Sequence, residues 1–516
     1  MPTDASDADS LPLALGPDVV LSCDILESAA LANRISVSLT EAAADALRAA
    51  RDALEVVQDR GDAVYGMTTG FGPLVDYPSG DRGGPDHGAG LLAHLSTGSG
   101  DLAPREISRA TCLARLQSLA QGHSAVRTSV VRRLADLMEH NVTPALPEVG
   151  SVGASGDLTP LAHAARVITG TGRVLQHDGT VVSAGEALRA AGLEPMALDG
   201  RDALAIVNGT SFMTAYAAIA VARTRRLLYH LERLTGWIYR LLGCELQALD
   251  PRLHEARGHN GQRISAERIR AEAVSDGTYA RPDDRPLQEP YSIRCAPQVI
   301  GACRDQLSYA ERLIETELNG VNDNPVVIAG EEPAVLHGGN FQGQQVALAA
   351  DALNAAITQA GVLAERQVDL LLTPDRNGNA PPLLAWTPGQ TSGLAGAQIT
   401  ATALVAELRH HAQMSATSSI PTNGDNQDVV SMGTLSGRTA YGQTERLAPI
   451  LGVLGIALAQ LTHLREADRA PGRCPEPPPW MPPVDAVVED RPLRAEIERL
   501  SRHWLHPANN PATPSE

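Results

Sequence analysis

Three consecutive small residues, Ala154-Ser155-Gly156, can react with one another. If the backbone bends tightly, the amide nitrogen of Gly156 reaches the carbonyl carbon of Ala154. Loss of two waters, one carrying the Ser155 hydroxyl oxygen, then leaves a five-membered ring with an exocyclic methylidene. That ring, 4-methylideneimidazol-5-one, is an electrophile no ordinary side chain provides. Glycine is needed at the third position because backbone must approach backbone closely. The surrounding run, Gly153 to Pro160, also reads as a Gly-rich turn entering a helix, with Asp157 and Thr159 in the first turn. From this segment alone both readings stand.

Composition narrows the chemistry. The chain has 516 residues and no lysine, so all 42 of its basic residues are arginine. Without lysine it can neither hold pyridoxal phosphate as an internal aldimine nor use a GK[ST] phosphate loop. Chemistry on amino acids would need another electron sink. A net charge of -18 without an acidic block argues against nucleic acid and anionic membrane as partners. Cys23, Cys112, Cys244, Cys295, Cys303 and Cys474 form no CxxC pair, which suggests a reducing cytoplasm and no metal site. No signal peptide is legible at the N-terminus. The stretches Asn377–Ala406 and Ala203–Ala222 do not read as membrane spans.

The elements that must position the tripeptide are mostly helices. Residues 1–20 read as a polar, disordered tail. Ser38-Leu39-Thr40-Glu41 reads as a capping box opening a helix to about Gln58. Residues 61–100 read as a long Gly-rich loop, a length usually associated with function. Helical patterns follow at Pro104–Gln121 and Val126–His140, and a short hairpin at Gly172–Val182. Beyond it the periodicity predicts long helices over Thr210–Leu246, Ala296–Leu318, Gln342–Leu372, Ala395–Met414 and Gly433–Arg465. Pro475–Pro483 reads as a linker before an amphipathic helix at about Pro492–Leu505. The domains expected are an N-terminal one over 21–205, a long-helix bundle over 206–470, and a linker with a C-terminal helix over 471–516.

Five polar segments sit at the ends of these apolar helices: Tyr65–Gly72, Val207–Thr210, Gln288–Cys295, Asn322–Pro325 and Thr422–Asp428. Each alone suits a turn or a cap. In this order, beside Gly153–Leu161, they resemble the aromatic amino acid ammonia-lyase and aminomutase family, over about Leu47 to Arg465. The resemblance implies a mainly α, fumarase/aspartase-like long-helix bundle, with a smaller N-terminal domain carrying the prosthetic-group loop. It implies a homotetramer with active sites built from several subunits, and neither metal nor external cofactor. Ala154, Ser155 and Gly156 would be the ring's precursors, and Tyr65 the base that takes the substrate's β-proton. Free tyrosine has a pKa of about 10, so helix N-termini and Arg294 would have to depress that of Tyr65. Arg294 would hold the substrate carboxylate through its planar fork. Asn208, Gln288 and Tyr291 would contact the ring and substrate, and Phe341 would lie beside the ring. Gly72 and Leu158 would line the substrate site. Asp323 and Asn324 read as scaffold.

The resemblance also bears on the substrate. At the family's selectivity position this chain has His94-Leu95, similar to its tyrosine enzymes. An imidazole can hydrogen-bond a phenol, whereas facing phenylalanine it would lack a partner, at a cost of about 1–3 kcal/mol. Gln427 places a neutral amide where histidine ammonia-lyases resemble a carboxylate, and Asn423 would sit near the phenol end. The activity implied is L-tyrosine to trans-4-coumarate and ammonia, with phenylalanine slower. A tyrosine 2,3-aminomutase giving β-tyrosine, or a histidine or phenylalanine ammonia-lyase, are the alternatives. Lyase and mutase differ in product retention, which depends on lid motion.

Overall fold

The computed structural model describes residues 10–79, 83–275, 277, 279–283, 285–467 and 477–506. Two compact units interleave along the sequence. The first comprises residues 1–219, 311–351 and 414–438; the second comprises 220–310, 352–413 and 439–516. The three contiguous domains expected beyond residue 20 therefore do not match. Four of the five unit boundaries fall within long helices, which periodicity reads as uninterrupted elements.

Among its described residues the first unit carries four two-stranded sheets: Leu11–Leu15 with Ile35–Leu39 in parallel, then three antiparallel pairs, Ser99–Leu102 with Pro147–Val149, Arg173–Leu175 with Val181–Ser183, and Val326–Ile328 with Ala334–Leu336. At its centre lies the helix Arg105–Ala120, buried continuously from Ile107 to Ala120. Several of its buried polar side chains bond to segments far away in the sequence, as burial favours. Gln117 donates to the carbonyls of Gly16 and Val19 and accepts from the Gly16 N–H. This corrects the expected tail over 1–20. Leu13 and Leu15 are buried and residues 11–15 pair as a strand, because Gln117 anchors the turn that follows. Residues 1–9 lie outside the described residues.

Helix Glu41–Asp59 starts two residues later than a Ser38 cap would put it. Thr40 is the N-cap and accepts from the Ala43 N–H, while Ser38 belongs to the strand before it. A reciprocal capping box forms instead between Ser183 and Glu186, at helix Ala184–Ala190. The expected loop over 61–100 contains a helix, Pro85–Leu95, with proline in its first turn. Its glycines conceal it from a sequence reading, yet Gly88 is a packing residue: a Cβ there would lie 2.4 Å from the Leu198 carbonyl oxygen.

The second unit is helical throughout its described secondary structure. Trp504 of helix Arg494–Leu505 is buried and stacks on His230 at 5.4 Å between centroids. The long helices span Ser211–Leu242, Ala296–Leu318, Gln344–Leu372, Ala395–His410 and Gly433–Ala467, near the predicted bounds. Gln344–Leu372 and Gly433–Ala467 are long and apolar enough to cross a membrane. Their most apolar windows are 72% and 89% buried inside the protein. The expected linker begins within 468–476, outside the described residues.

Candidate active site

The tripeptide lies in a turn that only glycine can make. Gly153 and Gly156 have φ of +72° and +69°, a region costly for residues with a Cβ. A Cβ on Gly156 would sit 2.1 Å from the carbonyl oxygen of Gly209. Backbone is pressed on backbone, and the Asp157 N–H donates to that same oxygen at 2.7 Å. The run therefore has the close backbone approach at Gly156 for which a glycine is needed. Helix Leu158–Ile168 does follow, but Asp157 makes no side-chain cap to it. Its buried carboxylate instead accepts from the N–H groups of Phe212 and Met213, at the N-terminus of helix Ser211–Leu242, and from the hydroxyls of Ser151 and Thr434. Burial raises the Asp157 pKa, and these four hydrogen bonds oppose the rise.

Two amides hold Ser155. The Asn208 side chain donates from Nδ2 to the Ser155 carbonyl oxygen at 3.0 Å, while its Oδ1 accepts from the Asn324 N–H at 2.7 Å. The second bond fixes which way the amide faces. Gln427 donates from Nε2 to the Ser155 hydroxyl at 2.7 Å. Sequence reasoning assigned Gln427 to substrate choice; the structure sets its amide on the Ser155 hydroxyl. Beneath Asn208, Arg115 donates to the Ala205 carbonyl and to Asn322, and Arg201 donates to Asp323 at 3.1 Å, all of them buried. Asp323 is thus scaffold, as its loop position suggested.

These groups open on a cavity of about 1050 Å³ within the first unit. Tyr65, Gly72, His94, Leu95, Leu158, Phe341, Asn423 and Gln427 line it together with Ala154, Ser155, Gly156 and Asn208. Twelve residues singled out from the sequence therefore meet in one place. The Gly72 N–H donates to the Tyr65 phenolic oxygen at 2.7 Å, and the Tyr65 N–H donates to His337 Nε2 at 3.2 Å. Partial burial raises the Tyr65 pKa, with the Gly72 bond acting against it. This corrects the expected depression: the surroundings of Tyr65 in one chain desolvate the phenol more than they favour the phenolate. Gly72, with φ of +57°, comes close enough to Asn423 that a Cβ would stand 3.0 Å from its amide nitrogen.

His94 lies in the last turn of Pro85–Leu95, and its Nδ1 is 3.1 Å from the Gly90 carbonyl. A carbonyl only accepts, so Nδ1 carries a proton, and in the neutral ring Nε2 is then the acceptor.

Gln288, Tyr291 and Arg294 belong to the second unit. Gln288 and Tyr291 are exposed. Arg294 donates from Nε to the Glu289 carbonyl at 2.8 Å and stands 4.6 Å over the Tyr291 ring. No arginine is among the described residues lining the first unit's cavity. Sequence reasoning missed Phe71 and His87, cavity-lining rings stacked at 4.4 Å, and the anchoring roles of Ser151, Ser431 and Thr434. Ser431 and Thr434 are far from the tripeptide in sequence. The only available signal was the small, polar start of the helix after Asp428.

Comparison with known proteins agrees with this geometry. The family described as aromatic amino acid lyase matches residues 21–477. A tyrosine ammonia-lyase of Cereibacter sphaeroides is 40% identical, over 91% of this chain and 93% of that protein. A protein of Streptomyces globisporus named an MIO-dependent tyrosine 2,3-aminomutase is 39% identical, over 80% of each chain. The crystal structure of a tyrosine aminomutase from Streptomyces globisporus superposes with a TM-score of 0.87 at 33% identity, covering 96% of this chain and 97% of that one.

Proposed function

The chain belongs to the aromatic amino acid lyase family, a carbon–nitrogen lyase of mainly α, fumarase/aspartase-like architecture, and on that premise we propose that it converts L-tyrosine to trans-4-coumarate and ammonia. The observation that carries the proposal is the seat of the tripeptide: Gly156 against Gly209, with Ser155 held by Asn208 and Gln427. These residues fit a methylidene-imidazolone made from Ala154, Ser155 and Gly156, because the turn already brings the glycine backbone into a space no side chain could share. Such a ring supplies an electrophilic carbon for the substrate's amine and turns that amine into a better leaving group.

The chain's own side chains do the rest. Asn208 presents a donor to the Ser155 carbonyl oxygen, where negative charge would gather, and Asn324 keeps it aimed. Tyr65 takes the β-proton, and the Gly72 N–H steadies the phenolate that accepts it. Because the phenol's pKa is raised, the base form grows with pH. His94 Nε2 accepts a hydrogen bond from the substrate phenol, while Leu95 packs its ring. Phenylalanine offers His94 no donor and would be slower. The carboxylate needs an arginine, and none is among the described residues lining the cavity. We assign it to Arg294 of another copy in a homotetramer.

A tyrosine 2,3-aminomutase is the second reading, supported by a relative and a solved structure nearly as similar. Prolonged incubation with L-tyrosine, separating coumarate from β-tyrosine, distinguishes the two. The lyase reading expects coumarate and ammonia in equal amounts; β-tyrosine as the main early product would replace it with the mutase.

A further inference from the structure

Gln427 is bonded to one of the two oxygens that must leave the chain if the ring is to form. Its Nε2 donates to the Ser155 hydroxyl oxygen at 2.7 Å, and its backbone pairs on both sides with Thr422, which closes the loop 422–427 and holds the side chain over the serine. A donor on a departing oxygen stabilises the charge that builds there as its bond to carbon breaks. Asn208 occupies the neighbouring carbonyl oxygen and not the hydroxyl, so the two amides divide the serine between them. We propose that Gln427 is a catalytic residue for maturation of the tripeptide, acting on loss of the Ser155 hydroxyl. The proposal rests on the reading that the ring forms.

The chemistry has two separable parts. In the first, the Gly156 nitrogen bonds to the Ala154 carbonyl carbon. The former carbonyl oxygen, protonated by the Gly156 amide hydrogen, leaves as water with the Ser155 amide proton, and a carbon–nitrogen double bond forms. In the second, the Ser155 Cα proton is lost, its electron pair becomes the Cα–Cβ double bond, and the Cβ–O bond breaks. That oxygen leaves as a second water. Gln427 touches only the second departing oxygen, so its removal should separate the two losses. Once the hydroxyl has gone, its amide is released toward the cavity it lines. A residue placed by sequence at the substrate would then first serve the precursor.

The test is a time course after synthesis, following the mass of the proteolytic peptide that contains residues 154–156. Wild-type, Gln427→Met and Gln427→Glu proteins are compared, with circular dichroism checking that each is folded. Methionine keeps the length without a donor, and an ionised glutamate can only accept. The expected result is a wild-type peptide lighter by two waters, and variants that accumulate a peptide lighter by one, with the serine side chain intact on fragmentation. Three results would overturn the proposal: two-water loss at the wild-type rate in both variants, no loss in folded variants (a structural role only), or faster loss in Gln427→Glu, which would make the side chain an acceptor. If neither variant folds, Gln427→Asn, with its donor withdrawn by one methylene, takes their place and is read the same way. A wild-type peptide that retains both waters would instead overturn the ring itself.

Discussion

At the scale of single residues, the proposed site divides between groups that would act on the tripeptide and groups that would choose the substrate. His94 belongs to the second class. Its Nδ1 is committed to the Gly90 carbonyl, which leaves Nε2 as an acceptor for a phenol. Replacing His94 with Phe should lower the preference for tyrosine over phenylalanine by about 1–3 kcal/mol, or roughly five- to 150-fold in the ratio of kcat/KM. Steady-state kinetics on both substrates measure this, and an unchanged ratio would mean the imidazole does not face the ring. Tyr65 gives a second prediction. A phenol with a raised pKa is mostly protonated at neutral pH, and its base form increases as pH rises. kcat/KM should climb with pH on the alkaline side, and Tyr65→Phe should lose about 10²–10⁴ in rate while its tripeptide still sheds both waters. The residues at this scale were legible because each motif pairs a reactive group with the turn or cap that presents it. What the sequence hid was direction. Gln427 reads as a neutral amide facing substrate, and only the fold shows it bonded to Ser155. The Tyr65 pKa depends on burial, which no local motif encodes.

At the scale of elements, helix Pro85–Leu95 carries His94 and Leu95, the pair proposed to select the substrate, and it was concealed by the glycines that let it pack. Gly88 and Gly90 look alike in sequence and differ in surroundings. A Cβ on Gly88 would run into the Leu198 and Asp199 carbonyls, whereas one on Gly90 meets nothing within 4 Å. Alanine for glycine inside a helix gains about 0.8–1 kcal/mol when space allows. Gly90→Ala should therefore raise or preserve thermal stability, and Gly88→Ala should lower it and raise KM for tyrosine by displacing His94. Calorimetry with kinetics on the pair checks both. The long helices were readable because their apolar pattern persists over many turns. The strand Leu11–Leu15 was not, since its order comes from Gln117, about a hundred residues away.

At the scale of the whole molecule, interleaving of the two units explains why contiguous domains read from the sequence do not match the structure. Tyr65 and Asn208 line one cavity in the first unit, while Gln288, Tyr291 and Arg294 belong to the second. If the arginine comes from another copy, Tyr65→Phe and Arg294→Ala chains should each be nearly inactive alone. Co-expressed, they should regain activity through mixed assemblies; no recovery would place both residues of a working site on one chain. The most direct test of the central claim is to give wild-type and Ser155→Ala proteins an equal mixture of L-tyrosine, L-phenylalanine and L-histidine and to identify all products over time. The account predicts coumarate first and fastest from the wild-type protein, cinnamate more slowly, and no ammonia from Ser155→Ala. Urocanate as the leading product, or undiminished turnover by Ser155→Ala, would contradict it.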